Sequence, residues 1–288
     1  MKIGFCVPNY GKATSKKAIE DTARLSENLR YHHIWTTDHL LIPEQFESPY
    51  GKCLESLTTL SYLAGKTENI GLGTSIIILP LREIVLFAKQ AAALQILSND
   101  RLMLGLGAGW NDIEFQNLRA DFKSRGQYYD EGVQLFRWLM KGNSEFKGDF
   151  YSISDGVFGP IPESPIPLFF GGNHGPSLRR AAKFGEGWHP VGVSRREIQA
   201  GKKKLELLTD KKMRIVVRLA VNFNEKVIKS RESKRRSVLS GNADEILSQI
   251  KEYERAGVTD IVCYFGDQSL NSINENAMTF GKEIVPSI

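Results

Sequence analysis

Short runs rich in β-branched residues alternate along the chain with longer stretches in which apolar residues recur every three or four positions. The short runs predict strands and the longer stretches predict amphipathic helices, so the chain repeats a strand and helix unit. The predicted strands are residues 2–7, 33–37, 70–79, 101–106, 167–170, 187–191, 213–223 and 260–265. Eight such units favour an α/β fold of the closed (β/α)8 TIM barrel type over an open doubly wound sheet.

Residues 110–165 interrupt this repeat, because they hold one helical segment at 128–140 and a tract rich in Gly and Pro. We therefore predict an insertion after the fourth strand that lies over one end of the barrel. No linker divides the remaining units, and a length of 288 residues suits one large barrel. The predicted organisation is a single domain over residues 1–288.

The composition and short motifs exclude several classes of protein. No stretch approaches the roughly 20 apolar residues that a membrane span needs. Cys6, Cys53 and Cys263 are far apart, which predicts no disulfide framework and fits a reducing, cytoplasmic compartment. HExxH, GxSxG and GxGxxG sequences are missing, which argues against zinc hydrolases, nucleophile-elbow hydrolases and dinucleotide-binding folds. We predict no metal site and no membrane partner.

A basic stretch lies behind the net charge of +5, since residues 194–240 hold 15 Lys and Arg against 5 Asp and Glu. This stretch is either a solvated surface or a surface that faces an anionic ligand. No nucleic-acid-binding motif accompanies it, so we predict no nucleic-acid partner.

In a (β/α)8 barrel, the ligand site lies at the carboxyl ends of the strands. His39 directly follows the second predicted strand, and Asp38 stands beside it. A histidine in this place can donate or accept a proton near neutral pH, so His39 and Asp38 are the candidate catalytic residues. The structural alternative is a histidine that only hydrogen-bonds the loop backbone.

Glycines mark one face of the third and fourth predicted strands. Alternation places Gly71 and Gly73 on one face of the third strand, and Gly105 and Gly107 on one face of the fourth. Helices outside a barrel pack against large aliphatic side chains, so the glycine faces should point inward and leave space for a ligand. The structural alternative is that these glycines relieve crowding inside the barrel.

A candidate anion site follows the fifth predicted strand, where Gly171 and Gly172 precede a helix with Pro176 at its first position. Free backbone amides at a helix start bind anions, and glycines let an oxyanion approach the backbone. Arg179 and Arg180 in the first turns can add positive charge. The segment predicts a phosphate site, and a plain tight turn is the alternative.

Three segments carry a resemblance to a known family. They are Asp38-His39-Leu40, residues 54–115 with the sequence LESLTTLSYLAGKTENIGLGTSIIILPLREIVLFAKQAAALQILSNDRLMLGLGAGWNDIEF, and residues 169–190 with the sequence FFGGNHGPSLRRAAKFGEGWHP. In this order they resemble the bacterial-luciferase-like monooxygenase superfamily. The GxGxGW run followed by EF, the turn from Leu97 to Arg101 and the GG…LRRAA…GW block look most like the branch that uses coenzyme F420, an 8-hydroxy-5-deazaflavin.

The resemblance implies that a flavin or deazaflavin binds at the strand ends with its ring innermost, where His39 meets the reacting end of the ring and the substrate. Thr74, Ser75 and Ile76 would back the ring, with a cis peptide bond between Ser75 and Ile76. Glu114 also matches a family position. Its implied role is a direct contact with the ligand, a cap on a helix, or the positioning of another site residue. The further implied contacts are those of the ring with Gly107, Ala108 and Gly109, and those of the phosphate with Gly171, Gly172 and Asn173.

These features predict an oxidoreductase in which coenzyme F420 exchanges hydride with a small organic substrate and His39 moves the proton. The alternative within the family is an FMN-dependent monooxygenase, and the alternative outside catalysis is a flavin-binding protein without turnover. The resemblance also favours a homodimer. Residues 40–52 and the insertion would shape the substrate pocket, and their sequences carry no pattern that identifies the substrate.

Overall fold

Strands and helices alternate as predicted over residues 1–223 and 236–288, which the computed structural model describes. The strands are β1 (Lys2–Cys6), β2 (His33–Thr36), β3 (Gly71–Ile78), β4 (Leu102–Gly107), β5 (Phe146–Lys147), β6 (Ser152–Ile153), β7 (Leu168–Gly171), β8 (Gly187–His189), β9 (Arg214–Asn222), β10 (Val238–Ser240) and β11 (Asp260–Tyr264). The helices are α1 (Lys16–Asn28), α2 (Glu47–Tyr50), α3 (Ser56–Ala64), α4 (Ile84–Leu97), α5 (Asp112–Asn117), α6 (Arg125–Leu139), α7 (Gly175–Phe184), α8 (Arg195–Leu208), α9 (Ala243–Ala256) and α10 (Leu270–Glu283).

Parallel strands close into a barrel in the order β1, β2, β3, β4, β7, β8, β9 and β11. The ring is complete because β11 pairs with β1 and β8 pairs with β9. The predicted (β/α)8 TIM barrel is therefore confirmed. β10 pairs with the last residues of β9, beyond the point where β8 ends. The sequence pattern does not predict β10, because a strand of 3 residues is too short to show a period.

The insertion after β4 consists of α5, α6 and the hairpin of β5 and β6, as the break in the repeat predicts. Glu131 on α6 accepts hydrogen bonds from the backbone N–H groups of Asp149, Phe150 and Tyr151, at 2.7 to 3.0 Å. One carboxylate thereby anchors the chain beside the hairpin to the helix. The sequence pattern predicts α6 but neither α5 nor the hairpin.

Helices on the outside of the barrel begin and end at residues with clear capping chemistry. Ser194 and Glu197 form a capping box at the start of α8, and Asn242 and Glu245 form another at the start of α9. Gly257 ends α9 with φ of +108°, a left-handed conformation that glycine adopts at low cost. No helix of residues 1–223 or 236–288 is long and apolar enough to cross a membrane.

Alternating side chains on the strands build two separate cores. Leu102, Leu104 and Leu106 of β4 face the helices, whereas Met103 lies in the barrel interior with Trp35. The other buried members of the interior cluster are Cys6, Tyr10, Phe169, Val216 and Val262. The predicted inward direction of the glycine faces is therefore confirmed.

A polar network closes the end of the barrel opposite the candidate site. Asp260 at the start of β11 is buried and pairs with Arg214 at 2.5 Å, while Nε2 of His33 lies 3.4 Å from its carboxylate.

Arg101 donates to backbone carbonyls of Ala64, Ile70 and Ser98 and to the Thr67 hydroxyl. The arginine of the turn before β4 therefore has a structural role.

Acid is expected to destabilise the fold through its buried histidines. Burial lowers the pKa of His33 to about 3 and that of His189 to about 4, from 6.5. Below pH 6.5 the unfolded chain therefore binds more protons than the folded chain, and the free energy of unfolding falls as pH falls. Each histidine contributes a slope of up to about 1.4 kcal/mol per pH unit.

Urea midpoints at pH 7 and pH 5 measure this effect. His33→Gln should make the difference between the two pH values smaller, and the matched control His174→Gln should leave it unchanged because His174 is exposed. An equal pH difference in wild type and His33→Gln contradicts the assignment.

Candidate active site

His39 and Glu114 form a buried pair beyond the carboxyl end of β2. Nδ1 of His39 lies 2.9 Å from Oε2 of Glu114, whose Oε1 accepts hydrogen bonds from the N–H groups of Leu40 and Leu41. Burial by itself raises the pKa of Glu114, but the hydrogen bonds from His39 and the two amides outweigh it and lower the pKa. Ionised Glu114 favours a proton on Nδ1, which leaves Nε2 of His39 to exchange a proton with a ligand.

The turn after β4 brings Glu114 to His39. Asn111 caps α5, because its Oδ1 accepts a hydrogen bond from the N–H of Glu114 at 2.9 Å. Gly109 has φ of +79°, and a Cβ there would lie 2.6 Å from the ring of Phe115. The glycine run after β4 is therefore a turn that positions the carboxylate.

Asp38 does not pair with His39, although the two are adjacent in sequence. Oδ2 of Asp38 accepts a hydrogen bond from the N–H of Ile78 at 2.9 Å, and Oδ1 pairs with Arg82 at 2.6 Å. Arg82 also reaches Glu55 at 3.3 Å. Asp38 therefore ties the end of β2 to β3, and Glu114 is the carboxylate that contacts His39.

Aromatic side chains surround His39. Its ring lies 4.6 Å from that of Tyr50 and 5.8 Å from that of Trp110, centroid to centroid, and Phe46 packs edge-on against Trp110 at 4.8 Å. Tyr50 stacks in turn on Tyr10 at 5.6 Å. Trp110 remains half exposed, so these rings form an apolar wall that is open to solvent at one side.

β3 carries a bulge at the candidate ring site. The pairing of β3 with β4 shifts between Thr74 and Ile77, and the peptide bond between Ser75 and Ile76 is cis. The placement of the cis bond implied by the resemblance is therefore confirmed. Thr74 donates its hydroxyl hydrogen bond to the carbonyl of Gly105 at 2.8 Å, which fastens the bulge to β4.

His189 at the end of β8 holds the bulge from the other side of the barrel. Its Nδ1 contacts the carbonyl of Val216, so Nδ1 carries the proton and Nε2 accepts a hydrogen bond from the Ser75 hydroxyl at 2.9 Å. The low pKa of His189 keeps this ring neutral at pH 7. The sequence pattern does not single out His189, although its position at a strand end is the same signal that identifies His39.

Ile76 occupies the space that the inward glycines leave. A Cβ on Gly107 or Gly171 would collide with the Ile76 side chain, at 2.8 Å in the case of Gly171, and one on Gly105 would meet the carbonyl of Thr74. The expectation of free space beside these strands is corrected, because Ile76 lies against Gly105 and Gly107 and the ring of Trp35 lies against Gly73. Ala108, next to Gly107, is half-buried against the outer core.

Arg218 is a site residue that the sequence analysis does not identify. It lies on the inward face of β9, where Nη1 donates to the Thr37 hydroxyl and the Ser75 carbonyl, both at 3.0 Å. Nη2 donates to the Tyr10 hydroxyl at 2.6 Å, and the guanidinium lies 4.9 Å from the ring centre of Tyr264. An arginine in the middle of a predicted strand, with apolar neighbours on both sides, was the available signal.

The loop between β7 and α7 is held by hydrogen bonds around Gly172, whose φ is +122°. Its carbonyl accepts from the Ser177 hydroxyl at 2.8 Å and from Nε1 of Trp188 at 2.6 Å. The side chain of Asn173 pairs with the backbone of Val191 through both its oxygen and its nitrogen. Asn173 therefore ties this loop to the segment that follows β8, and its side chain is already engaged.

The two arginines of α7 point to different partners. Arg179 is exposed, and its Nη1 would lie 3.3 Å from a Cβ on Gly175, so its charge sits beside the helix start. Arg180 instead pairs with Asp130 and covers the ring of Tyr129 at 4.9 Å.

Other surfaces lie outside this site. Within the basic stretch, Arg195 of α8 pairs with Glu252, and residues 224–235 lie outside the described part of the chain. A surface cavity of about 420 Å³ beside α6 shares no residue with the barrel mouth. The described residues contain no group of three or more His, Cys, Asp and Glu side chains that could hold a metal ion.

Comparison with known proteins assigns a family. A family model described as luciferase-like monooxygenase matches residues 1–226. An F420-dependent glucose-6-phosphate dehydrogenase of Amycolatopsis mediterranei is 29% identical over 193 residues, covering 65% of this chain and 54% of that protein. The pyrimidine monooxygenase RutA of Allorhizobium ampelinum is 32% identical over 139 residues, covering 46% of this chain and 38% of that protein. The chain thus matches a little more than half the length of one of these curated relatives and less than two fifths of the other.

Among solved structures, the monooxygenase RslO1 from Streptomyces bottropensis has the same fold, with a TM-score of 0.84 and 19% sequence identity over 100% of this chain and 99% of that one. At this identity the likeness concerns the fold alone. The family model, in contrast, covers more than three quarters of the sequence. The chain belongs to the luciferase-like monooxygenase family.

Proposed function

We propose that the protein is an oxidoreductase in which coenzyme F420 exchanges hydride with a small organic substrate, while His39 donates or accepts the proton. The pairing of His39 with ionised Glu114 at the carboxyl ends of the strands is the observation that carries this proposal. An acid–base group at this end of a barrel stands where ligands bind. The F420-dependent relative of Amycolatopsis mediterranei supports the choice of cofactor.

In this proposal, the residues around the barrel mouth would hold a ring with a phosphate-bearing tail, and the position of Arg179 beside the start of α7 supports the phosphate end. Thr74, Ser75 and Ile76 would back the ring, and the phosphate would meet the start of α7 beside Arg179. The further proposed contacts of the cofactor are Gly107, Ala108, Gly109, Gly171, Gly172 and Asn173. When bound, a deazaflavin supplies a two-electron carrier that gives or takes hydride.

The chain's own groups would do three things in this reaction. Nε2 of His39 would transfer the proton, while Glu114 would orient the imidazole through Nδ1 and stabilise its charged form. The rings of Tyr50 and Trp110 would exclude water from one side of the substrate. Asp38, which is fully engaged with Arg82 and the backbone of Ile78, would keep the loop after β2 in place rather than act on the substrate.

The second candidate is an FMN-dependent monooxygenase, which the relative RutA favours. A phosphate site at α7 serves FMN as well as F420, so this end of the site does not distinguish them. A flavin-binding protein without turnover is the third candidate.

Cofactor titration separates these candidates. We expect coenzyme F420 to bind at least tenfold more tightly than FMN or FAD, measured by fluorescence, and reduced F420 to be consumed with small carbonyl compounds. Tighter binding of FMN with oxygen-dependent turnover would instead support the monooxygenase, and binding without turnover would support the third candidate. As a control on the phosphate site, Arg179→Gln should weaken FMN and leave riboflavin, which has no phosphate, unchanged.

Replacement of the pair tests the proton-transfer role. His39→Ala should lower kcat by about 10²- to 10⁴-fold and leave cofactor affinity within about twofold. Glu114→Gln keeps an oxygen for the amides of Leu40 and Leu41 but removes the charge, so it should lower kcat and change the pH dependence of kcat. Unchanged turnover in His39→Ala, in a protein that still binds cofactor, would refute the role.

We also propose that the protein forms a homodimer through α4. Four large apolar side chains stand on the exposed side of this helix: Val85, Leu86, Ile96 and Leu97 are 37%, 58%, 39% and 78% exposed. A helix with apolar residues on both its buried and its exposed side is normally covered on both sides. The three free cysteines accord with our further proposal of a cytoplasmic location.

Charged residues on α4 should separate the protomers. Each leucine that is buried at an interface contributes about 1.5 kcal/mol or more, and Leu86→Glu with Leu97→Glu removes two leucines from each protomer, so the dimer should be weakened by about 10⁴-fold or more. Light scattering after gel filtration measures the mass, and Leu207→Glu on α8 is the matched control because Leu207 is 87% exposed. A wild-type monomer, or a dimer that survives both substitutions, contradicts the proposal.

A further inference from the structure

Arg218 brings a positive charge into the barrel mouth among neutral groups. Its hydrogen-bond partners are two hydroxyls and one carbonyl, on Tyr10, Thr37 and Ser75. Burial raises the pKa of Tyr10, so this phenol stays neutral. Within residues 1–223 and 236–288, no carboxylate lies at ion-pair distance from Arg218.

The guanidinium also keeps free donors. It has five N–H groups, of which three are used by these hydrogen bonds. Nε and the second proton of Nη2 have no hydrogen-bond partner in the part of the chain that the structure describes. A charge that is partly withdrawn from water and lacks a counter-ion is costly, so the barrel mouth favours a ligand that supplies negative charge.

Other cations near the mouth cannot take this role. Arg82 is paired with Asp38 and Glu55. His189 is neutral, because its pKa is about 4. Of these three groups, Arg218 is therefore the cation without a counter-ion in the described chain.

The position of Arg218 relates it to the ring rather than to the phosphate tail. Nη1 donates to the carbonyl of Ser75, which belongs to the segment proposed to back the ring. Hydride addition brings two electrons and one proton to the ring. The reduced ring is therefore more negative by one charge unless a second proton follows.

We propose that Arg218 stabilises the added negative charge of the reduced cofactor ring and thereby makes the site prefer the reduced form over the oxidised form. This inference rests on the proposed function, since it requires a flavin or deazaflavin at the barrel mouth. Arg179 at the start of α7 has a different role, because the charge of a phosphate does not change when the ring is reduced.

The test compares dissociation constants of oxidised and reduced cofactor under anaerobic conditions, with FMN and coenzyme F420 as the probes. Wild type should bind the reduced form at least tenfold more tightly. Arg218→Met should reduce this ratio at least tenfold, which for a two-electron couple is a shift of about 30 mV. Arg218→Lys, which keeps a charge, should retain most of the preference.

Arg179→Gln is the matched control. It removes an arginine from the other end of the site, so it should weaken both redox forms by the same factor and leave their ratio unchanged. Thermal melting of each variant verifies that it is folded. If Arg218→Met does not fold, Arg218→Gln serves as the neutral variant, because it can still hydrogen-bond Tyr10 or Thr37.

Each outcome decides the inference. An equal affinity of wild type for the two redox forms overturns it without any variant. A ratio that is unchanged in folded Arg218→Met also overturns it, and loss of affinity for a carboxylate-bearing substrate alone in that variant would assign Arg218 to the substrate. Failure of wild type to bind either cofactor refutes the proposed function itself, which is a different result from a changed or unchanged ratio.

Discussion

Packing of Ile76 into the barrel is the constraint on which the candidate site depends. The register shift in β3 turns this side chain toward β4 and β7, where any side chain larger than glycine at 107 or 171 would collide with it. Protein interiors are close-packed, so the bulge and the glycines must occur together. The same bulge presents the Ser75 hydroxyl to His189 and the Ser75 carbonyl to Arg218. The glycines, the histidine and the arginine therefore form one packing unit around β3.

The sequence predicts what depends on local period and leaves open what depends on packing. Leu102, Leu104 and Leu106 face the helices as alternation requires, so the barrel and its inward faces follow from the sequence. The sequence does not predict which side chain fills the inward space, because a bulge shifts the register of a strand and leaves no periodic signal. Gly107 illustrates this: alternation places it inward, but only the structure shows that Ile76 lies against it.

The partners of site residues are equally hard to read from one sequence. Asp38 and His39 are neighbours in the chain, but successive residues of an extended segment point to opposite sides. Asp38 therefore reaches Arg82, and the contact of His39 comes from Glu114, which follows 75 positions later and arrives through the turn after β4. The resemblance marks Glu114 as a family position without stating its partner. Sequence patterns identify His39 as a candidate, and only the tertiary fold shows that Glu114 is the carboxylate that contacts it.

Arg179 and Arg218 show that the burial of an arginine changes how it contributes to the binding of a charged cofactor. Arg179 is exposed, so its attraction for a phosphate is screened by salt and is nearly the same for every form of the ring. Arg218 is held among neutral partners, where water screens its charge less than at the surface. Its guanidinium has already lost part of its hydration when the protein folds. A negative charge that appears next to Arg218 therefore changes the binding free energy more than one at the surface. In the proposed complex, the tail would supply affinity and the ring end would distinguish redox states.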